Sequence, residues 1–238
     1  LMKKMLELID VNVAVSKVAA QSYQEVFDLK EDVKVIHNII QSDLIKEKFA
    51  QSVNSDDLRL FKNKDLTFIS VGRLVEQKGY DRLIKIHRRL IDEGFKHNIM
   101  IIGNGEDEQT LKNEIKKNNC QETFKLIGYR ENPFAYFKLA DCFLLPSRYE
   151  GLPTVVFESL ICQIPVIATK VAGIEEQLKD SSYGLVVNND ESDFYEAMKT
   201  IIMHPEKLEK MKDKLKDYHY QNETIITQIS NLVEGDLC

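Results

Sequence analysis

Short apolar segments alternate with amphipathic segments from about residue 66 to about residue 204. The apolar segments predict six β-strands, at 66–71, 97–102, 123–128, 141–145, 165–169 and 184–187. The amphipathic segments predict helices at 80–94, 107–118, 133–139, 154–162, 174–179 and 192–203. Short, continuously apolar strands that alternate with helices are typical of a parallel sheet covered on both faces. We therefore predict an α/β fold with a doubly wound, Rossmann-like parallel sheet that binds ligands at the carboxyl ends of its strands.

The amino-terminal part has a different pattern. A strand, a helix and a strand are predicted at 11–16, 17–29 and 33–38, and a polar stretch follows at about 41–65. One such unit is too small to form a core by itself. We interpret residues 1–40 as the tail of a preceding domain with its hinge, and 41–238 as the main domain. We also expect the chain, which begins with leucine, to be a piece of a longer protein.

The last part of the chain, 205–238, predicts terminal helices at 205–218 and 222–234. The second helix repeats apolar side chains at helical spacing, so we expect this face to be buried. These side chains are Ile225, Ile226, Ile229, Leu232 and Val233.

Composition narrows the function classes. The net charge of −6 gives no broad electrostatic support for nucleic-acid binding. No apolar run approaches the ~20 residues that span a bilayer, and the first residues do not resemble a signal peptide. The four cysteines, Cys120, Cys142, Cys162 and Cys238, form no C-x-x-C motif. We expect reduced thiols in a cytoplasmic protein.

Two carboxylates bracket the end of the fourth strand and the start of the next helix. Glu150 lies in the turn, and Glu158 lies one turn beyond Thr154 on the same helix face. The helix start, Gly151-Leu152-Pro153-Thr154, offers backbone N–H groups without internal partners, a common phosphate site. A carboxylate can accept hydrogen bonds from both hydroxyls of a cis-diol. This combination predicts a nucleotide-sugar site, with Glu150 facing the sugar and Glu158 facing the ribose.

A loop with two cations follows the first strand of the main domain. Gly72 and Gly79 frame this loop, which carries Arg73 and Lys78. A guanidinium and an ammonium that converge here would neutralise a diphosphate. No D-x-D pair occurs in the chain, and the five histidines have no zinc-ligand spacing, so we expect neither a metal nor another cofactor. The cations would then stabilise the departing diphosphate themselves.

Two further loops complete the predicted site. Gly105 would let the backbone approach a nucleotide, although a plain strand-to-helix turn explains it equally well. Gly128, Tyr129 and Arg130 would contact a flat base, the alternative being an exposed aromatic and a solvated arginine. The full dinucleotide fingerprint, the P-loop and the nucleophile elbow are absent, so a redox Rossmann protein is a poor alternative.

Together these segments resemble the donor-binding domain of the retaining nucleotide-sugar glycosyltransferases of GT-B architecture, glycosyltransferase group 1. The resembling segments cover most of 66–190 and include VGRLVEQKGYDRLI, IIGNGED, LIGY and PSRYEGLPTVVFE. The resemblance implies the carboxyl-terminal half of a GT-B fold with a remnant of the preceding domain. It implies that Arg73 and Lys78 bind the donor diphosphate, Glu150 and residues 151–154 the sugar and phosphate, and Glu158 the ribose. Gly128 and Tyr129 match the base-contacting turn.

The resemblance also implies partners. It predicts metal-independent transfer of a hexose from a UDP-, GDP- or ADP-sugar to a glycan or lipid-linked hydroxyl, with the acceptor held by the missing amino-terminal domain. A lipid-linked acceptor would imply peripheral contact with the inner face of a membrane. Alternatives are a sugar phosphorylase, a nucleotide-sugar epimerase or a non-catalytic partner of the same fold. The family usually has glycine where this chain has Gln163, so we expect a looser helix exit there.

Overall fold

The computed structural model describes residues 9–54, 57–60, 64–179 and 181–234. The first unit consists of strand β1 (Val13–Ala14), helix α1 (Lys17–Phe27) and strand β2 (Lys34–Val35). The two strands pair in parallel and are shorter than predicted, because within the described part of the chain each one pairs only with the other. Ser16 caps α1, with its side-chain oxygen accepting a hydrogen bond from the Ala19 N–H.

A helix that the sequence analysis missed follows this unit. Helix α2 (Ser42–Ala50) lies in the polar stretch at about 41–65, for which we predicted no helix. Its Ile45 is buried, and Ile45 and Phe49 are one helical turn apart, which was the available signal. The residue at the cap position, Gln41, makes no side-chain capping hydrogen bond, so this position lacks the usual start signal.

The six main strands confirm the predicted doubly wound parallel sheet. They are β3 (Thr67–Val71), β4 (Asn98–Ile102), β5 (Phe124–Leu126), β6 (Cys142–Leu145), β7 (Val166–Thr169) and β8 (Gly184–Val187). Their spatial order is β5-β4-β3-β6-β7-β8, and every neighbouring pair is parallel. The chain order reverses between β3 and β6, which is where such sheets open a crevice for ligands.

Within the described residues, seven further α-helices cover the sheet or follow it. They are α3 (Tyr80–Asp92), α4 (Glu108–Lys117), α5 (Thr154–Ile161), α6 (Ile174–Leu178), α7 (Glu191–Met203), α8 (Glu206–Leu215) and α9 (Asn222–Val233). Consecutive strand residues alternate between two buried clusters, one on each face: Phe68 belongs to one and Ile69 to the other. No described helix is both long and apolar enough to cross a membrane.

One predicted helix has a tighter geometry than we expected. The segment predicted at 133–139 is a 3-10 helix, Phe134–Leu139. Residues three apart are eclipsed in such a helix, and Phe134 stacks with Phe137 at a ring-centroid distance of 6.4 Å. Phe137 in turn stacks on Phe143 of β6, so packing against the sheet favours the tighter form.

The carboxyl-terminal helix returns to the first unit. The Asn222 side chain accepts a hydrogen bond from the Ile40 N–H at 3.0 Å and donates one to the Ile40 carbonyl at 2.5 Å. Residues 34–36 line a groove together with Gln228, Asn231 and Leu232 of α9. The expected burial of the whole apolar face is nevertheless wrong within the described residues. Ile225 is buried, but Ile226, Ile229 and Val233 are exposed, because α9 contacts the fold along only part of its face.

Candidate functional site

A cavity of about 350 Å³ opens at the carboxyl ends of β3 and β6, at the point where the strand order reverses. The loop after β3 forms one wall, and the loop between β6 and α5 forms the other. Seven of the residues that the sequence analysis selected line it: Gly72, Arg73, Lys78, Glu150, Leu152, Pro153 and Thr154. The remaining lining residues are Val71, Gln77 and Val155. The fold thus brings the cation loop and the carboxylate loop to a single cavity.

The two loops are joined by an ion pair. The Lys78 Nζ lies 2.7 Å from the Glu150 Oε1, and both side chains are largely buried. The Ser147 hydroxyl donates to the same carboxylate oxygen at 2.7 Å, and the Gln77 amide donates to Oε2 at 3.4 Å. From the sequence we expected Lys78 to bind a diphosphate and Glu150 to face a sugar, and we did not foresee that they bind each other. Ser147 and Gln77, which hold Glu150, were also not predicted.

Arg73 is the accessible cation of the cavity. Its side chain is exposed, and within the described part of the chain it makes no ion pair. With Arg73 and Lys78 opposed by a single carboxylate, the lining side chains carry a net positive charge. Such a cavity favours an anion over a neutral ligand.

The start of α5 adds backbone donors to this wall. Pro153, at the cap position, has an extended backbone and makes no side-chain capping hydrogen bond, and the first turn of the helix contains no acidic residue. The first N–H groups of the helix, at Thr154 and Val155, therefore point out of the amino end without an acidic side chain to satisfy them. Gly151 is exposed, and a side chain there would meet no neighbouring atom, so this turn is open to solvent.

Glu158 lies one helical turn beyond Thr154 but does not line the cavity itself. Its side chain is half-buried, and burial raises the pKa of its carboxyl group above the ordinary value. Among the described residues, no side chain donates a hydrogen bond or an ion pair to it. A desolvated carboxylate without a donor is costly, so a partner that donates hydrogen bonds would stabilise it.

Gly105 has a packing role that the sequence did not reveal. A Cβ atom at this position would lie 2.3 Å from the Leu74 carbonyl oxygen, and one at Gly103 would lie 2.0 Å from the Gly72 carbonyl oxygen. The loop after β4 therefore needs glycine because it packs directly against the backbone of the loop after β3. The nucleotide contact predicted for Gly105 stays a prediction.

The predicted base-contacting turn is partly engaged elsewhere. Gly128 has a left-handed φ of +75°, and Tyr129 is 67% exposed, so this ring is free to stack on a flat ligand. The Arg130 guanidinium, in contrast, binds both carboxylate oxygens of Asp57, at 3.0 and 3.2 Å. The Tyr136 hydroxyl also donates to Asp57, at 2.5 Å. We did not foresee this pairing, which ties the segment before β3 to the turn.

Comparison with solved structures defines the class of fold. HepE from Anabaena, solved in complex with UDP and glucose, superposes with a TM-score of 0.78 at 17% identity, covering 94% of this chain and 63% of that one. Sucrose-phosphate synthase from Thermosynechococcus elongatus gives a TM-score of 0.77 at 19% identity, covering 98% of this chain and 60% of that one. The fold is therefore that of the GT-B glycosyltransferases, as the sequence predicted.

Sequence comparison identifies the family. The profile described as "Glycosyl transferases group 1" matches residues 54–218, and the chain belongs to this family. An uncharacterized glycosyltransferase of Methanocaldococcus jannaschii is 34% identical over 141 residues, covering 59% of this chain and 34% of that protein. A diphospho-undecaprenol N-acetylgalactosaminyltransferase of Campylobacter jejuni is 30% identical over 171 residues, covering 71% of this chain and 44% of that protein. The chain thus spans less than half the length of these relatives.

Proposed function

We propose that this chain is the donor-binding part of a glycosyltransferase that uses a nucleotide-diphosphate sugar. The observation that carries the proposal is the cavity at the β3–β6 switch point, where Arg73, Lys78 and the uncapped start of α5 converge. Cations and helix amino ends are the groups that bind phosphates in proteins. The complex of HepE with UDP and glucose supports a donor of this class.

In the proposed binding mode, the diphosphate lies between Arg73 and the first N–H groups of α5. Lys78 reaches it with N–H groups that its bond to Glu150 leaves free, since an ammonium has three donors. The sugar then lies near Glu150, and the ribose hydroxyls donate to Glu158. This arrangement uses the exposed Arg73, the open start of α5 and Glu158, to which no side chain donates among the residues that the structure describes.

The proposed reaction is transfer with retention and without a metal. The bond between the anomeric carbon and the diphosphate oxygen breaks, and its electron pair stays on the diphosphate. The acceptor hydroxyl oxygen bonds to the anomeric carbon on the same face and passes its proton to the departing diphosphate. Negative charge builds on the diphosphate during this step, so Arg73, Lys78 and the α5 amino end stabilise the transition state more than the bound donor.

The acceptor class is a glycan or a lipid-linked sugar. A relative in Escherichia coli, 28% identical over 173 residues, is named UDP-Gal:alpha-D-GlcNAc-diphosphoundecaprenol alpha-1,3-galactosyltransferase. An acceptor of that kind would bring the protein to a membrane surface. Two further relatives are named for amylovoran biosynthesis in Erwinia amylovora, which supports a role in polysaccharide assembly.

The test is calorimetric titration of the 238-residue chain with UDP, GDP and ADP, with and without EDTA. We expect one of them to bind, with an affinity that EDTA does not change. The double variant Arg73→Ala, Lys78→Ala should bind at least about tenfold more weakly, because each charged hydrogen bond contributes roughly 1.5–3 kcal/mol.

The matched control for this titration is Arg88→Ala, Lys112→Ala, which removes two positive charges that pair with Asp92 on α3 and Glu108 on α4, away from the cavity. This control should bind as the wild type does. No binding by the wild type, or equal losses in both double variants, would contradict the site assignment. Loss of binding with EDTA would contradict metal independence.

A further inference from the structure

The loop between β6 and α5 carries Ser147 and Glu150 but has no regular secondary structure to hold it. Its beginning is fixed instead by a buried arginine from a neighbouring helix. The Arg82 Nε donates to the Pro146 carbonyl at 2.9 Å, and its Nη2 donates to the Ser147 carbonyl at 2.9 Å. The same Nη2 donates to the Asn189 side chain at 2.9 Å. Arg82 thus holds two consecutive carbonyls at the start of the loop.

The environment of Arg82 is unusual for an arginine. The residue is only 7% exposed, and among the described residues it forms no ion pair with a carboxylate within 4.0 Å. Burial is the largest influence on its pKa and lowers it. A buried cation that is satisfied by carbonyl and amide oxygens is costly, and a leucine at this position would avoid the cost. What the arginine provides is a rigid fork that fixes several acceptors at once.

Arg82 also contacts the other wall of the cavity. It lies in the first turn of α3, directly after the turn formed by Lys78 and Gly79. Gly79 has a left-handed φ of +68°. A Cβ atom there would lie 2.1 Å from the Pro146 carbonyl oxygen and 2.8 Å from the Arg82 Nε. The loop after β3, which carries Lys78, and the β6–α5 loop, which carries Glu150, therefore contact each other next to the Arg82 guanidinium.

A short chain of contacts then connects Arg82 to the cavity. The Ser147 hydroxyl donates to Glu150 at 2.7 Å, and Glu150 accepts from the Lys78 ammonium at 2.7 Å. The Ser147 carbonyl is further fixed by the Thr169 hydroxyl, which donates to it at 2.6 Å. A shift of the backbone at Pro146 and Ser147 would displace the Ser147 hydroxyl and therefore the Glu150 carboxylate. The Lys78 ammonium, which binds this carboxylate, would move with it.

From this geometry we infer that Arg82 is a positioning residue for the diphosphate site. It holds the β6–α5 loop so that Ser147 and Glu150 direct the Lys78 ammonium into the cavity. The inference rests on the proposed function, because Lys78 is there a ligand of the diphosphate. It goes beyond that function by assigning a role to a side chain that does not line the cavity.

The test is a double-mutant cycle with Arg82→Lys and Lys78→Met, read by calorimetry with whichever of UDP, GDP and ADP binds the wild type most tightly. Arg82→Lys keeps the charge but loses the fork, and we expect binding about tenfold weaker. In the Lys78→Met background the same change should cost less than about twofold, because the group being positioned is gone. An equal loss in both backgrounds would mean that Arg82 acts only on the general structure, and would overturn the inference.

Two further variants make this result decisive. Arg88 lies on the same helix as Arg82 but pairs with Asp92. The variant Arg88→Lys should therefore leave nucleotide binding unchanged. Asn189→Ala removes an exposed acceptor of Arg82 and also the hydrogen bond of 2.6 Å that the Asn189 amide donates to the Arg148 carbonyl of the same loop. It gives a milder test of the positioning of this loop if Arg82→Lys does not fold. It should weaken binding in the wild type but not in the Lys78→Met background. If the wild type binds no nucleotide, the proposed function fails as well. If the wild type binds a nucleotide and the Arg82 and Asn189 variants bind it as tightly as the wild type does, only the role of Arg82 is contradicted.

Discussion

Lys78 and Glu150 form an ion pair of 2.7 Å although they are separated by 72 positions in the sequence. Lys78 ends the loop after β3, and Glu150 follows β6, so the pair joins the two walls of the cavity at the ends of these neighbouring strands. Each group is already desolvated and fixed before a ligand arrives. An anion therefore meets an ammonium whose direction is set, which lowers the entropy that binding must overcome.

The first prediction separates the shape of Glu150 from its charge. In Glu150→Gln the side-chain oxygen still accepts from Lys78, while the negative charge that opposes a diphosphate is removed. We expect this variant to bind UDP, GDP or ADP at least as tightly as the wild type, measured by calorimetry. Glu150→Ala should bind more weakly, because Lys78 loses its anchor. If both variants lose affinity equally, Glu150 does not act by holding Lys78.

The second prediction concerns Glu158 and the ribose. If its carboxylate accepts hydrogen bonds from the ribose hydroxyls, the chain should prefer a nucleoside diphosphate over its 2′-deoxy analogue by about tenfold, the effect of one charged hydrogen bond. Glu158→Ala should bind both ligands with similar affinity. Because burial raises the pKa of Glu158, the wild-type preference should decline as the pH falls through that raised pKa. A preference that survives in Glu158→Ala would contradict the assignment.

A third prediction concerns the exit of α5. We expected Gln163 to loosen this exit, but the structure contradicts a loose end. Gln163 adopts a left-handed φ of +60°, its N–H binds the Leu160 carbonyl, and the Ile164 N–H binds the Ser159 carbonyl. Only glycine adopts this conformation at little cost.

We therefore expect Gln163→Gly to raise the free energy of unfolding by about 0.5–1 kcal/mol. The side chain is exposed, so little packing is lost. Urea unfolding measures the change, and Gln163→Ala, which keeps the strain, is the control. A glycine variant less stable than the alanine variant would refute this account.

The fourth prediction is a loss of stability in mild acid that originates far from the site. His87 and His97 are buried side by side, with Nδ1 of the first 2.8 Å from Nε2 of the second. The His97 Nδ1 lies 2.9 Å from the Phe95 carbonyl and must donate to it, so its Nε2 accepts from His87. The His87 Nε2 then accepts from the Thr123 hydroxyl at 2.9 Å. If the His97 Nε2 gained a proton, two N–H donors would face each other and the hydrogen bond between the two rings would be lost.

The sign of the pH effect follows from the pKa values. Burial lowers the pKa of His97 to about 4 and also lowers the pKa of His87, so the unfolded chain binds protons more readily. Stability from this pair should be complete above about pH 6.5 and decline toward pH 4, by on the order of 3 kcal/mol for His97.

Urea unfolding at pH 7.5 and pH 4.5 measures this loss. The control variant His204→Gln, at an exposed position, should lose as much stability as the wild type. Equal stability of the wild type at the two pH values would contradict the prediction.

The sheet was predictable because its strands are buried on both faces and therefore continuously apolar. The residues of the cavity were also predictable, since glycines, cations and carboxylates follow the predicted strands where a parallel sheet binds ligands. The pairing of Lys78 with Glu150 was not, because the order of the strands in the sheet decides which loops meet. For the same reason, the sequence did not predict the pairing of Arg130 with Asp57 or the contact of Arg82 with the β6–α5 loop. Helix α2 was missed because its short apolar face lies in a polar stretch without a capping signal.

The most direct test of the central claim is a crystal structure of the chain with a bound nucleoside diphosphate. We expect the terminal phosphate within hydrogen-bond distance of the Arg73 guanidinium, the Lys78 ammonium and the first N–H groups of α5, with a ribose hydroxyl on Glu158. A nucleotide bound in another place, such as the groove between β2 and α9, would contradict the account.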